Sequence, residues 1–384
     1  MRVLVAHNAY QQRGGEDSVV DDEVALLRAH GAEVELLLTH NDEITGMGRA
    51  ELAGRTLWSR PAAQAMAQRC KDFRPDVVHV HNSFPLLSPA VHWAAQEAGV
   101  PVVQTLHNFR LLCPQAMLLR EGRVCEDCVG HLPWRGAVRG CYRGSVAQSS
   151  VLAGMIVLHR GLGTWQRRVN RFIALTEFAR HKFVEGGLPA ARLRVKPNFA
   201  DLPDAGNGPR DGLLFVGRLS AEKGVETLVA AAANLPEPVR VIGDGPLTAA
   251  VAKAPGLQAL GAQPLAAVAA AMRSARALVL PSICYENFPR TLVEAYASGL
   301  PVIASRLGAM AELMQDGVTG LLFEPGDAAA LEQRLRWALE HPAEMAAMGR
   351  QARAVYESSY TADRNHAQLM TIYEEAIQEG PRHD

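Results

Sequence analysis

The sequence predicts an α/β chain built from two successive doubly wound parallel sheets. Three observations carry that prediction. Short β-branched apolar runs alternate with longer helical patterns. The alternation stops and then restarts within 384 residues, too many for one ordinary core. A Pro/Gly/Asp-rich stretch, PNFADLPDAGNGPRDG at 197–212, lies between the two series and reads as a linker.

In the first series, VLVAH (3–7), VELLLTH (34–40), DVVHVH (76–81), PVVQTLH (101–107) and RFIALT (171–176) read as buried strands. SVVDDEVALLRAHG (18–31) and PAVHWAAQEAG (89–99) have helical spacing and each closes on a glycine. In the second series the strands are GLLFVG (212–217), VRVIGDG (239–245), ALVLPS (277–282), PVIAS (301–305) and GLLF (320–323), with another ending near Leu260. Helices are expected near 222–234, 247–254, 264–275, 289–298 and 327–341, and a last helical stretch covers roughly 343–379. The expected division is a first domain at 1–196 with an insertion at 110–145, the linker at 197–212, a second domain at 213–365 and a C-terminal helix and tail at 366–384.

Composition is that of a globular protein, with 48% hydrophobic, 21% charged and 6% aromatic residues. The longest apolar stretches, such as VLAGMIVLH (151–159), fall short of the ~20 residues a membrane span needs. MRVLVAHNAY enters a strand without signal-peptide architecture, so a cytoplasmic setting is expected. The net charge of −1 hides an asymmetry: residues 1–200 carry 24 Lys and Arg against 18 Asp and Glu. Within 135–196 there are 12 basic residues, opposed by Glu177 and Glu185 alone. Such a segment is either a solvated basic face or a dock for an anionic membrane or lipid-linked substrate. Nucleic acid is disfavoured, because few aromatics interleave with the arginines.

Open α/β sheets bind ligands beyond the carboxyl ends of their strands, so polar residues just after strands are the candidates. RGGEDSVV (13–20) follows the first strand, and the amides of Gly14 and Gly15 can approach an anion at a helix entrance. The dinucleotide fingerprint is absent, and the next strand ends in Thr39, His40 and Asn41 in place of an acid, which disfavours a nicotinamide dehydrogenase. His107 closes its strand, either as a structural hydrogen-bonding group or as one that meets substrate. GRLSAEKG (217–224) brings Arg218 and Lys223 towards a phosphate, and VIGDGP (241–246) adds Gly243 and Asp244 in a turn. In ENFPRTLVE (286–294), Pro289 favours a helix's first turn, placing Glu286 in the entering loop and Glu294 on the helix flank.

The order of these pieces, through EAYASGLPVIAS and GLLFEPGD, resembles glycosyltransferase family 4 over nearly the whole chain. That resemblance implies the GT-B fold: two Rossmann-like domains facing a cleft, the C-terminal helix crossing back to the first domain, and retaining transfer of a hexose from a nucleotide-diphosphate sugar. It implies that Arg218 and Lys223 hold the donor diphosphate, that Glu294 accepts from the ribose hydroxyls, and that Glu286 sits beside the transferred sugar. Asn287, Phe288, Arg290 and Thr291 start the helix whose amides approach sugar and phosphates; Gly15 touches the diphosphate from the other domain, and His107 contacts the sugar near the reaction centre. One departure is Pro289, which offers no N–H where the family's loop commonly has one. No cofactor is required by such chemistry. The donor is a UDP- or GDP-sugar, and base contacts are expected around Gly261 to Leu265. The acceptor is a glycan or lipid-linked cell-envelope precursor, with a peripheral position on the inner membrane face. A nucleotide-sugar epimerase, a phosphorylase and a non-catalytic sugar-binding protein are the alternatives.

Cys113, Cys125, Cys128 and Cys141 fall in one window inside or beside the insertion. Two readings stay open there, a structural zinc on the four thiolates or reduced structural thiols. Cys70 and Cys284 read as buried fillers.

Overall fold

The computed structural model describes residues 1–202 and 208–382. The chain forms two compact units: Met1–Leu118 with Glu126–Pro197 and the segment from Asn365 onward, and Leu119–Cys125 with Asn198–Arg364. Part of the predicted linker, 203–207, lies outside the described residues.

The strands in chain order are β1 (Arg2–Ala9), β2 (Glu33–His40), β3 (Val77–Asn82), β4 (Val102–Leu106), the short hairpin β5 (Leu119–Arg120) and β6 (Arg123–Val124), β7 (Arg171–Ala174) and β8 (Leu193–Val195). Then follow β9 (Leu213–Val216), β10 (Val239–Ile242), β11 (Leu257–Gly261), β12 (Ala277–Leu280), β13 (Val302–Ser305) and β14 (Gly320–Phe323). The first unit holds a six-stranded sheet in the order β2-β1-β3-β4-β7-β8, the second one in the order β11-β10-β9-β12-β13-β14. All pairs in both sheets are parallel.

Strand periodicity explains how the second sheet is filled. Leu214, Leu278, Leu280, Val302 and Ala304 enter one core cluster, while Leu213, Phe215, Ala277, Val279 and Ile303 enter the other. Adjacent side chains point to opposite faces, so a sheet covered on both sides needs unbroken apolar runs.

Each sheet reverses its direction of winding once. In the first unit the chain moves outward from β1 to β2 and returns to β3 on the other side of β1. In the second it moves from β9 through β10 to β11 and returns to β12 beside β9. The crevices beyond β1 and β3, and beyond β9 and β12, are therefore the switch points where such sheets take ligands.

Several elements differ from the sequence reading. The last helical stretch is two helices, Pro342–Ser359 and Ala362–Glu379, parted at Tyr360, whose φ of −125° leaves the helical region while its ring joins the core. From Asn365 onward the chain belongs to the first unit, where Glu375 pairs with Arg171 at 2.7 Å and Arg194 at 2.8 Å. Strand β8 was not among the expected strands: three residues between basic side chains give no readable periodicity.

Candidate active site

In the second unit the two flanks of the switch point are joined by one ion pair. Lys223 follows β9 and Glu286 follows β12, and Lys223 Nζ lies 2.7 Å from Glu286 Oε1. Ser282 Oγ donates to the same carboxylate oxygen at 2.7 Å. Burial alone would push the Glu286 carboxyl up; the Lys223 charge and these hydrogen bonds hold it below the usual range. Lys223 moves the other way: burial opposes its charge, and Glu286 outweighs it and raises the ammonium. Both groups are thus charged, with the lysine side chain still 34% exposed. Arg218 is exposed in the same loop, a cation available to an anion.

Glycine is required where this loop turns into its helix. Gly224 has φ +69°, and a Cβ there would stand 1.8 Å from the Pro281 carbonyl oxygen. The VIGDGP turn packs onto the same loop: Gly217 N donates to Ile242 O at 3.0 Å and Leu219 N to Asp244 O at 2.9 Å. A Cβ on Gly243 would meet Gly217 O at 1.9 Å. Close approach at Gly243 is thus to the neighbouring loop's backbone, a cause the sequence reading did not separate from approach to a ligand. Asp244 is exposed, its carboxyl lowered by hydrogen bonds from Thr248 Oγ1 and the Gly245 amide.

Pro289 is the N-cap of the helix Arg290–Ala297. Glu286 therefore lies in the entering loop, and Glu294 lies on the helix, where Arg290 Nε binds it at 2.8 Å. Asn287 is buried, and Phe288 packs edge-to-face on Tyr360 and against the core. Thr291, one residue into the helix, is half-buried.

In the first unit a cavity of about 40 Å³ opens beyond β3 and β4, lined by Glu16, His81, Phe84, His107, Asn108 and Arg110 among others. His107, just past β4, lines it. Gly14 and Gly15 are placed differently from each other. Asp17 caps the helix Gly15–Ala29 by accepting the Gly14 amide at 2.8 Å, and its other oxygen lies 2.8 Å from His7 Nε2. The Gly14 amide is therefore already used within the loop, a correction to the expectation that it meets an anion. Beside Gly15 nothing lies within 4 Å of a built Cβ.

Several residues here carried no readable signal. Burial raises the Glu16 carboxyl to about 7 although Tyr10 and Asn108 donate to it. Arg110 lies over the rings of Phe84 and Tyr142, at 4.6 and 5.2 Å. Behind His107 is a buried polar network of His81, Glu23, His79, Lys196 and Tyr373. The alternating histidines of DVVHVH were its one visible trace, since polar side chains inside a buried strand need partners.

The zinc reading finds no support: among the described residues, the His/Cys/Asp/Glu group with metal-ligand spacing is Glu23, His79 and His81. Cys70 and Cys284 are buried, as expected of fillers.

Two parallel sheets, each carrying its polar residues beyond the strand ends at a switch point, define a two-domain ligand-binding α/β protein. Comparison with known proteins narrows the class. Residues 13–203 match the family described as Glycosyltransferase Family 4, and residues 210–341 match Glycosyl transferases group 1. A phosphatidyl-myo-inositol mannosyltransferase of Mycobacterium leprae is 28% identical, covering 100% of this chain and 99% of the relative. A D-inositol 3-phosphate glycosyltransferase of Streptomyces scabiei is 30% identical over 80% of this chain and 70% of its own. The chain belongs to glycosyltransferase family 4. Solved structures agree in fold: sucrose-phosphate synthase from Thermosynechococcus elongatus superposes with a TM-score of 0.72 at 18% identity, covering 98% and 99% of the two chains. Anabaena HepE in complex with UDP gives 0.67 at 18% identity, covering 97% and 100%. The fold is therefore GT-B.

Proposed function

We propose that this glycosyltransferase is a retaining hexosyltransferase that uses a nucleotide-diphosphate sugar and an acceptor of the cell-envelope or polysaccharide type. The observation that carries the reading is the Lys223–Glu286 pair across the second switch point, with Arg218 exposed beside it. Lys223 and Arg218 face the donor diphosphate and offset the charge that grows on it as the bond to C1 breaks. The acceptor oxygen bonds to C1 on the same face, and its proton passes to the departing phosphate oxygen. Glu286 meets the sugar hydroxyls and holds Lys223 in place; Glu294 meets the ribose. His107, with the cavity around it, is assigned to a sugar hydroxyl. The protein then works by positioning and electrostatics, without a carboxylate nucleophile.

A lipid-linked acceptor is supported by the surface of the first unit and by the named activity of the Mycobacterium leprae relative. Leu132, Trp134, Val138, Val146 and Leu162 are exposed on and around the helices Trp134–Val138 and Val146–Gly161, interspersed with Arg135 and Arg143. Apolar side chains among cations suit an anionic membrane surface. No helix among the described residues is long and apolar enough to cross a membrane.

Turnover tests the reading. Protein incubated with UDP-, GDP- and ADP-sugars, with and without a lipid acceptor, is expected to release nucleoside diphosphate only when the acceptor is present. Acceptor-independent isomerisation of the sugar would mean an epimerase, and binding without turnover a sugar-binding protein. Flotation on anionic vesicles, lost with Trp134→Ala combined with Val138→Ser, tests the membrane surface; no flotation of the parent protein removes it.

A further inference from the structure

His107 is one end of a line of close polar contacts running into the core. Its Nε2 lies 2.9 Å from His81 Nδ1, and His81 Nε2 lies 3.2 Å from Glu23 Oε1, an ion-pair contact without hydrogen-bond alignment. The other oxygen of Glu23 is 3.0 Å from Lys196 Nζ, which also donates to Asn365 Oδ1 at 3.1 Å. Glu23, His81 and Lys196 are each no more than 3% exposed. His107 Nδ1 has no hydrogen-bond partner among the described residues.

Burial opposes the charge on Glu23, but Lys196 and His79 outweigh it and keep the carboxyl well below its ordinary value. Burial drives the two imidazoles the other way: His81 falls to about 3 and His107 well below its usual value. Glu23 is therefore a carboxylate that can only accept, and both histidines are neutral, each with one proton to place. His81 Nε2 has no other partner among the described residues, and the carboxylate charge 3.2 Å away favours N–H there, which leaves Nδ1 a lone pair. A lone pair facing His107 Nε2 requires N–H on that atom in turn. The remaining nitrogen of His107, in the cavity, must then be unprotonated.

We propose that Glu23, acting through His81, fixes His107 in its Nε2–H tautomer, so that Nδ1 is presented as a hydrogen-bond acceptor to a sugar hydroxyl. Glu23 and His81 are positioning residues, and the assignment of the hydroxyl rests on the role proposed for His107 above. Glu23, His79 and His81 each offer an atom within 4.8 Å of the others, the spacing of a cation site. The positive charge next to that carboxylate is already supplied by Lys196, and His79 is engaged by Tyr373 at 2.7 Å and Thr105 at 2.8 Å. A tautomer relay accounts for these contacts without a metal.

Lys196 makes the relay testable by a near-isosteric change. In Glu23→Gln the amide oxygen is drawn to the Lys196 ammonium, which turns the NH₂ towards His81. His81 Nε2 must then accept, its Nδ1 carries the proton, and His107 is inverted to Nδ1–H. Nitrogen-15 NMR of the full-length protein labelled at histidine reads each ring directly, with His107→Gln used to assign the signal. The parent protein is expected to show His107 as Nε2–H, and Glu23→Gln to shift it to Nδ1–H. His81→Asn, whose Oδ1 can replace His81 Nδ1 as acceptor, is expected to restore Nε2–H in the Glu23→Gln background. In turnover, Glu23→Gln should lower kcat by 10-fold or more with the KM for the nucleotide sugar changed less than 3-fold, and the double variant should regain most of it. A parent His107 protonated on Nδ1 overturns the relay, even if no variant folds; so does an unmoved tautomer in a folded Glu23→Gln. If the tautomers behave as stated but His107→Ala transfers sugar normally, the relay stands and the role assigned to His107 fails.

Discussion

The two switch points solve the same problem with opposite arrangements of charge. In the second unit, Arg218, Lys223 and Glu286 stand in loops after the strands, and the lysine side chain is still one-third exposed. In the first, the ionisable groups lie within strands and a helix: His79 and His81 on β3, Glu23 on the helix Gly15–Ala29, all buried. The second arrangement leaves its cations exposed enough to meet a ligand's charge. The first has its charges satisfied internally and can influence a ligand only through the orientation it imposes on His107. Perturbing each should therefore fail in a different way, stability on one side and turnover on the other.

The largest effect is expected from Lys196→Met. It removes the cation from a carboxylate buried with it, and breaking a buried pair from one side costs about 3–5 kcal/mol. Urea unfolding should show that loss, with little of it returned by nucleoside diphosphate. If stability fell by less than ~1 kcal/mol, Glu23 would have another source of compensation and the contrast between the units would collapse.

Lys223→Ala should do the reverse. Unfolding should move only modestly, because water can reach the partly exposed pair. Transfer should fall by about 10²–10³-fold, the usual consequence of removing a donor aimed at developing negative charge. Arg218→Ala, which breaks no ion pair among the described residues, should lose activity with no stability change at all. Normal turnover in both variants would show that the diphosphate is held elsewhere.

This contrast also explains what was legible in the sequence. GRLSAEKG and ENFPRTLVE are local: the spacing of Lys223, Pro289 and Glu294 is contained in short loop-to-helix segments whose glycines and proline announce their turns. The strands that position them were readable because sheets covered on both faces need continuous apolar runs. The relay behind His107 is assembled from residues 23, 81, 107, 196 and 365, and no local pattern joins positions so far apart. The helices Arg49–Leu57, Arg60–Phe73, Val146–Gly161 and Glu177–Glu185 also went unread. The third of these has a nearly continuous apolar run, VLAGMIVL, and so little of the two-faced spacing that marks a helix.

Glu16 gives the smallest and most specific test, because it belongs to the buried unit yet lines its cavity. Burial raises its carboxyl from 4.5 to about 7, so the folded protein holds a proton there that the unfolded chain releases. Between about pH 4.5 and 7 the folded state binds more protons, and stability must fall as pH rises through that window. The full contribution is present below pH 4.5 and lost above 7; its size is roughly 3 kcal/mol at 1.36 kcal/mol per unit. Glu16→Gln, which keeps the shape and can still accept from Tyr10, should remove this slope and leave the variant more stable than the parent at pH 8. Urea midpoints at pH 5, 6, 7 and 8 decide it. Parallel profiles for parent and variant would place the Glu16 carboxylate in water, and the first unit's cavity would then resemble the open loops of the second.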